Sequence, residues 1–300
     1  MDSPKQSEAP WVDRQRELTG IAKRQLFFVG GAPRSGTTWL QELLDLHPDI
    51  SCRGEALFHQ DLAQPLDALM HARSIAVATK SADTFRHAKG YPPPTEDDTD
   101  MLLGTAILLA FRRQLAGYHY AAVGEKTPEN VFLFPRLKRL FPTARFIGIA
   151  RDTRDSLSSA WHFWAKANLG SGGRDAMAAF VDASLPAIEE GLQLLVVYSE
   201  QIPNSCRIIT YEQLTAMPTP IMAGLCRFLG VSDDSSVVAE CVLGAAFMSV
   251  TGGRKPGETQ EGVFHRKGVV GDWVETLPLD LGERIVRRLD WAYDWFGWQR

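Results

Sequence analysis

Residues 25–39 of this chain, QLFFVGGAPRSGTTW, constrain its fold more than any other stretch. The apolar run QLFFVG has the composition of a buried strand and ends in glycine. A loop containing Gly31, Pro33 and Gly36 follows, and then Trp39, Leu43 and Leu46 form one stripe at helical spacing, with Leu40 and Leu44 beside it. His47-Pro48 stops that helix, because proline keeps the residue before it out of the α region. Strand, glycine loop and helix in that order gather backbone N–H groups and the positive end of a helix dipole around one point. Such a point binds anions.

Three more apolar runs read as buried strands: AAVG at 121–124, RFIGIA at 145–150 and CRIIT at 206–210. Helical patterns over about 101–118, 153–168 and 175–200 fall between them. That alternation predicts a three-layer α/β architecture, a mainly parallel central sheet with helices on both faces. Residues 1–24 read as a polar N-terminal extension and 25–300 as a single domain. Residues 79–100 hold Pro92-Pro93-Pro94 and then Glu96, Asp97, Asp98 and Asp100, a loop or lid composition. Residues 249–272 are rich in glycine and charge and read as a long loop. A last helix is expected over about 280–296, with Trp291, Tyr293, Trp295, Phe296 and Trp298 packing on the core.

Composition excludes several classes. With 300 residues, 45% hydrophobic and 23% charged, the chain is globular in make-up. A net charge of −4 lacks the broad basic surface that nucleic-acid binding requires. Four cysteines without a CxxC pair make neither a disulfide framework nor a zinc site, and point to reduced thiols in the cytoplasm. The polar start MDSPKQSEAP does not read as a signal peptide, and the apolar stretch Met101 to Phe111 is too short to span a bilayer. A soluble, cytoplasmic protein with no transmembrane segment is expected. No heptad pattern indicates an oligomeric state.

The loop nearly fits the phosphate-binding pattern G-x-x-x-x-G-K-[ST], with Gly31 and Gly36 in the glycine positions. Thr37 stands where the lysine would be, and a cation comes earlier, as Arg34. Open α/β sheets bind ligands outside the carboxyl ends of their strands. Each predicted strand is followed at once by a polar group: Arg34, Lys126, Arg151 and Tyr211. Cations crowded at one sheet edge are costly unless an anion neutralises them, so a multiply charged ligand is expected. Phosphoryl transfer on such a loop needs the lysine and a Mg²⁺ carboxylate after an apolar strand. Thr37 and Arg151 occupy those positions, which favours a donor whose charge is met by side chains, with no metal required.

PRSGTTW, Arg151 with Ser159 eight residues later, and RKG at 266–268 resemble the sulfotransferases that use 3′-phosphoadenosine 5′-phosphosulfate. GEKTP and ITYEQL are further landmarks, and the resemblance runs from about Gln25 to Trp273. It implies a P-loop-like parallel sheet and in-line transfer of a sulfonyl group, leaving 3′-phosphoadenosine 5′-phosphate (PAP). The acceptor would be a hydroxyl of a sugar, lipid or other small molecule, glycolipids included.

By the same resemblance Arg34, Ser35, Gly36, Thr37 and Thr38 would hold the 5′-phosphosulfate, with Trp39 flanking the adenine. Arg151 and Ser159 would grip the 3′-phosphate, Arg266, Lys267 and Gly268 would close over it, and Tyr211 would lie near the adenine. Guanidinium suits that task, since it binds phosphate in a bidentate fork. Lys126 would stand near the transferred group, and Glu55, in CRGEALFH, matches the general base of members acting on sugars or protein tyrosines. His59 and His119 are alternative bases. Phe58, Met70, Phe85, Trp161, Phe163 and Trp164 are candidates for the acceptor wall. Two rivals remain: a nucleotide kinase or NTPase, and a non-catalytic module that binds an adenosine bisphosphate.

Overall fold

The computed structural model describes residues 10–85, 89–165, 173–258 and 266–300. Its centre is a sheet of five parallel strands in the order β2-β3-β1-β4-β5. The strands are β1 Gln25–Gly31, β2 Ile50–Gly54, β3 Ala122–Lys126, β4 Arg145–Ala150 and β5 Cys206–Thr210. β1 is buried from Leu26 to Gly31 because both faces of the sheet are covered, which is why it reads as an unbroken apolar run. Leu26 and Phe28 face one core with Phe111, Phe134 and Phe146. Phe27 and Val29 face the other with Leu40, Leu43 and Leu225. The three-layer α/β expectation is met.

Helices α1 Pro10–Ala22, α2 Thr37–Asp45, α3 Gln64–Thr84, α4 Glu96–Leu115, α5 Phe134–Leu140, α6 Thr153–Ala160 and α7 Gly173–Gln201 surround the sheet. After β1 the chain goes to β2 on one side, and it returns through β3 to β4 on the other. The loops after β1 and β4 therefore part and leave a crevice at the carboxyl end of the sheet, where such folds bind ligands.

Several expectations are corrected. β2 is a strand that its sequence ISCRG does not announce, since only Ile50, Ser51 and Cys52 are buried and its order comes from pairing with β3. Part of the polar extension is helix α1, whose Leu18 and Ile21 are buried in the core. Both ends of the presumed lid are helical: α3 continues to Thr84, and α4 begins at Glu96 because Thr95 and Asp98 form a reciprocal capping box. The acidic cluster that resembled a loop is the first turn of that helix, where its charge meets the dipole. The helix expected over 153–168 is α6 followed by a π-helical turn, Trp161–Ala165, and residues 166–168 lie outside the described ones. The last helix is two, Leu279–Arg288 and Asp290–Phe296, broken at the fully buried Leu289.

Candidate functional site

The loop after β1 turns tightly: Ser35 N–H donates to Ala32 O at 3.1 Å, and Arg34 (φ 66°) and Gly36 (φ 99°) are both left-handed. α2 starts at Gly36 with no side-chain cap, so the loop itself presents the helix end. Beyond it lies a cavity of about 400 Å³ lined by Arg34, Gly36, Thr37, Thr38 and Trp39 among others. Glu55, Arg151, Ser159, Tyr211 and the segment Arg266 to Val269 complete much of its wall. The strand ends that the sequence pointed to thus meet in one place.

Cations dominate one end. Arg34 Nε donates to Ser159 Oγ at 3.2 Å, and its guanidinium lies 4.5 Å over the Phe163 ring. Arg151 Nη1 donates to Arg34 O at 3.4 Å and Nη2 to Val269 O at 2.9 Å, with the guanidinium 4.1 Å over the Tyr211 ring. Burial first, then the Arg151 and Arg266 charges, pull the Arg34 pKa down to about 10. Arg266 is lowered too, by burial and then by Arg151. Among the described residues, Arg151 Nε is buried without a hydrogen-bond partner. Like charges held this close, out of water, fit a multiply charged anion.

Tyr211 is buried between Arg151 and the edge of Trp39, whose ring is 5.6 Å away, while Trp39 Nε1 donates to Ala245 O at 2.9 Å. Both rings line the cavity beside the cations, together with Val242, Phe247 and Val250. At the other flank, where β2 and β3 end, Lys126 Nζ donates to Glu55 Oε1 at 2.6 Å and to Thr38 Oγ1 at 3.0 Å. Lys126 is almost fully buried while the Glu55 side chain is 41% exposed, so Glu55 is the member of the pair that faces the cavity. The peptide between Gly54 and Glu55 is cis.

Not every expected residue joins them. Ser35 is fully buried beneath the loop, and its side chain is not among the lining groups. His119 lies away from the cavity: it bonds Arg24 at 3.3 Å, next to the amino end of β1. His59 packs on Phe132, with rings 5.6 Å apart, and bonds Gln64 at 3.1 Å instead of lining the cavity. Phe58 and Trp161 belong to the core, Met70 lines a second cavity and Phe85 is exposed, so Phe163 alone of the five described acceptor-wall candidates stands at Arg34. The Trp164 side chain lies outside the described residues.

Sequence reasoning missed Asp155. Its carboxylate accepts from Gly271 N at 2.8 Å and Trp273 N at 2.9 Å and pairs with Arg151 at 3.4 Å, tying the segment after Gly268 to the sheet. A carboxylate one helical turn beyond Arg151 is the signal that could have found it. Asp272 likewise pairs with Arg266 and, at 2.8 Å, with Lys267. Gly268 (φ 64°) lets that segment lie against Phe247, because a Cβ there would be 2.3 Å from the ring. Among the described residues no three His, Cys, Asp or Glu side chains gather as a metal site, and no helix is long and apolar enough to cross a membrane.

The sequence pattern of the sulfotransferase family matches residues 27–235, more than half of the chain. The chain belongs to the sulfotransferase family.

Among relatives of this sulfotransferase chain, protein-tyrosine sulfotransferase 1 of Danio rerio is 26% identical over 263 residues, covering 85% of this chain and 67% of its own length. A putative protein-tyrosine sulfotransferase of Caenorhabditis briggsae is 27% identical, covering 68% of this chain. The matched stretch spans 65% of that relative's own length, so the chain covers about two thirds of each. Among solved structures, a mouse sulfotransferase complexed with PAP shares the fold with a TM-score of 0.56 at 15% identity. That alignment covers 92% of this chain and 88% of the mouse one.

Proposed function

We propose that the protein transfers a sulfonyl group from 3′-phosphoadenosine 5′-phosphosulfate to an acceptor hydroxyl. The observation that carries this reading is the convergence, in one cavity of a sulfotransferase-family chain, of Arg34, Arg151 and Arg266 with the half-exposed Glu55. Arg151, Ser159 and Arg266 to Gly268 would hold the 3′-phosphate, by fork-like guanidinium contacts. The Trp39 and Tyr211 rings on the cavity wall offer aromatic surface for the base. Loop amides, Thr37, Thr38 and Arg34 would meet the phosphosulfate at the start of α2.

Glu55 takes the acceptor proton as the new oxygen–sulfur bond forms and the bond from sulfur to the phosphate oxygen breaks. Proton removal of this kind is worth ~10²–10⁴-fold. Arg34 would meet the negative charge that grows on the leaving side, and Lys126, bonded to Thr38 and Glu55, would link the anion loop to the base. A kinase reading fits less well, because the Asp152 carboxylate that follows β4 is engaged by Arg154 and, at 2.8 Å, by Tyr293 Oη. The acceptor is a sugar, lipid or other small-molecule hydroxyl, glycolipids included; a tyrosyl phenol competes with it, on the strength of the relatives' names. Four buried, free thiols support a reducing compartment such as the cytoplasm.

The test is calorimetric titration with PAP, without Mg²⁺, beside ADP and the Arg151→Ala variant. Binding that needs both the 3′-phosphate and Arg151 is expected; equal binding of ADP would overturn the donor assignment. Transfer to a tyrosine peptide, a hexose and a long-chain alcohol is then followed by PAP release. Glu55→Gln should keep PAP binding and lose transfer, and retained transfer would remove Glu55 from the base role.

A further inference from the structure

Beneath Glu55 lies a second carboxylate that the reaction above does not use. Glu125, inside β3, is 2% exposed, yet its sequence neighbours give no reason for a charge in the middle of a sheet. Burial pushes its carboxyl above the ordinary range, against the pull of three hydrogen bonds. Those bonds are specific. Oε1 accepts from Ala56 N at 2.8 Å and from Thr127 Oγ1 at 2.6 Å, and Oε2 accepts from Asn130 Nδ2 at 2.6 Å. Asn130 Nδ2 also donates to Val29 O at 3.1 Å, the strand that feeds the anion loop. Thr127 Oγ1 in turn accepts from Leu57 N at 3.3 Å.

Two consecutive backbone N–H groups, those of Ala56 and Leu57, are therefore held by the Glu125–Thr127 pair. Leu57 is left-handed (φ 52°), a conformation that leucine keeps only where its surroundings hold it. Glu55 is the residue immediately before this clamp. Its carboxylate meets Lys126 at 2.6 Å, and Lys126 is the residue immediately after Glu125. A neutral side chain would satisfy β3 packing at far lower cost, since a buried carboxylate is costly unless fully bonded.

We propose that Glu125 is a positioning residue for the acceptor-side chemistry, anchoring the 55–57 backbone so that the Glu55 carboxylate stays within reach of Lys126 and the acceptor hydroxyl. The inference rests on Glu55 acting as the base.

Its test is a double-mutant cycle in the full-length protein. Glu125→Gln keeps the shape but presents an amide N–H₂ to the donors of Thr127 and Asn130. It should lower the rate of PAP release by about tenfold to a hundredfold, the size expected for an ångström-scale misplacement, with PAP affinity unchanged within about twofold. In a Glu55→Gln background the same change should have no further effect on residual transfer, because both act through one group. Thr127→Val, which removes the Leu57 anchor and is milder on folding, should behave the same way. A loss that multiplies in the Glu55→Gln background, or that falls equally on PAP binding, would assign Glu125 to fold stability and overturn the proposal. Full transfer by Glu55→Gln alone would instead remove the base reading on which it rests.

Discussion

Gly36 shows how tightly single residues determine the site. At φ 99° it adopts a backbone conformation open to glycine, and a Cβ would stand 2.6 Å from the Tyr211 ring. Gly36→Ala should therefore cost about 1–3 kcal/mol in strain, push Tyr211 off Arg151, and weaken PAP binding in calorimetry by at least about tenfold. Arg34 has a different sensitivity. It is the most charge-crowded cation of the site, and its burial and neighbours lower its pKa to about 10. The donor's negative charge relieves that crowding, and more so as charge grows in the transition state. Arg34→Ala should lower turnover by roughly 10²–10³-fold while PAP affinity changes less, measured as separate kcat and Kd. An equal loss in both would mean that Arg34 only binds. These two residues were legible in the sequence because their roles follow from what stands beside them: a strand end, a glycine turn and a helix start. Glu125 was not, because its partner Ala56 lies 69 residues away in the chain and its own pattern is that of a strand interior.

At the scale of elements, the corrections share one cause. α4 begins where acidic residues and a proline run suggested a lid, because Thr95 Oγ1 accepts from Asp98 N at 3.3 Å while Asp98 Oδ2 accepts from Thr95 N at 2.8 Å. The Thr95 backbone and hydroxyl hold the Asp98 carboxyl below its ordinary value of 3.8. A carboxylate depressed in the folded state stabilises above its unfolded pKa, and that contribution is lost as pH falls through the folded value. Thr95→Ala should lower Tm at neutral pH by about 2 °C. Asp98→Asn should also lower it, and its deficit against the unsubstituted protein should close as pH falls below about 3.8 and through the lowered folded value. A deficit that persisted at low pH would show that the charge contributes nothing. β2 failed to announce itself because five residues, the last two of them exposed, are too short for a period, and pairing with β3 supplies the order.

Across the whole molecule, the C-terminal segment reaches the proposed donor site. Trp298 Nε1 donates to Glu212 Oε2 at 3.1 Å, and Glu212 Oε1 accepts from Asp152 N at 3.0 Å; Glu212 follows Tyr211 in the chain and Asp152 follows Arg151. Tyr293 Oη and Arg154 hold the Asp152 carboxylate from the same side. Trp298→Phe removes one N–H and leaves the half-buried Glu212 carboxylate short of a donor. It should cost about 1–3 kcal/mol of stability and weaken PAP binding severalfold through Arg151; unchanged PAP affinity would confine the segment to packing. From sequence alone came the parallel sheet, the anion loop and the row of cations after the strands, because each is written in adjacent residues. Only the tertiary structure decided that Glu55, and not His59 or His119, faces the cavity, and that Glu125, Asp155 and the C-terminus brace the site. Those outcomes depend on contacts such as Lys126 to Glu55, 71 residues apart, which no local pattern can report.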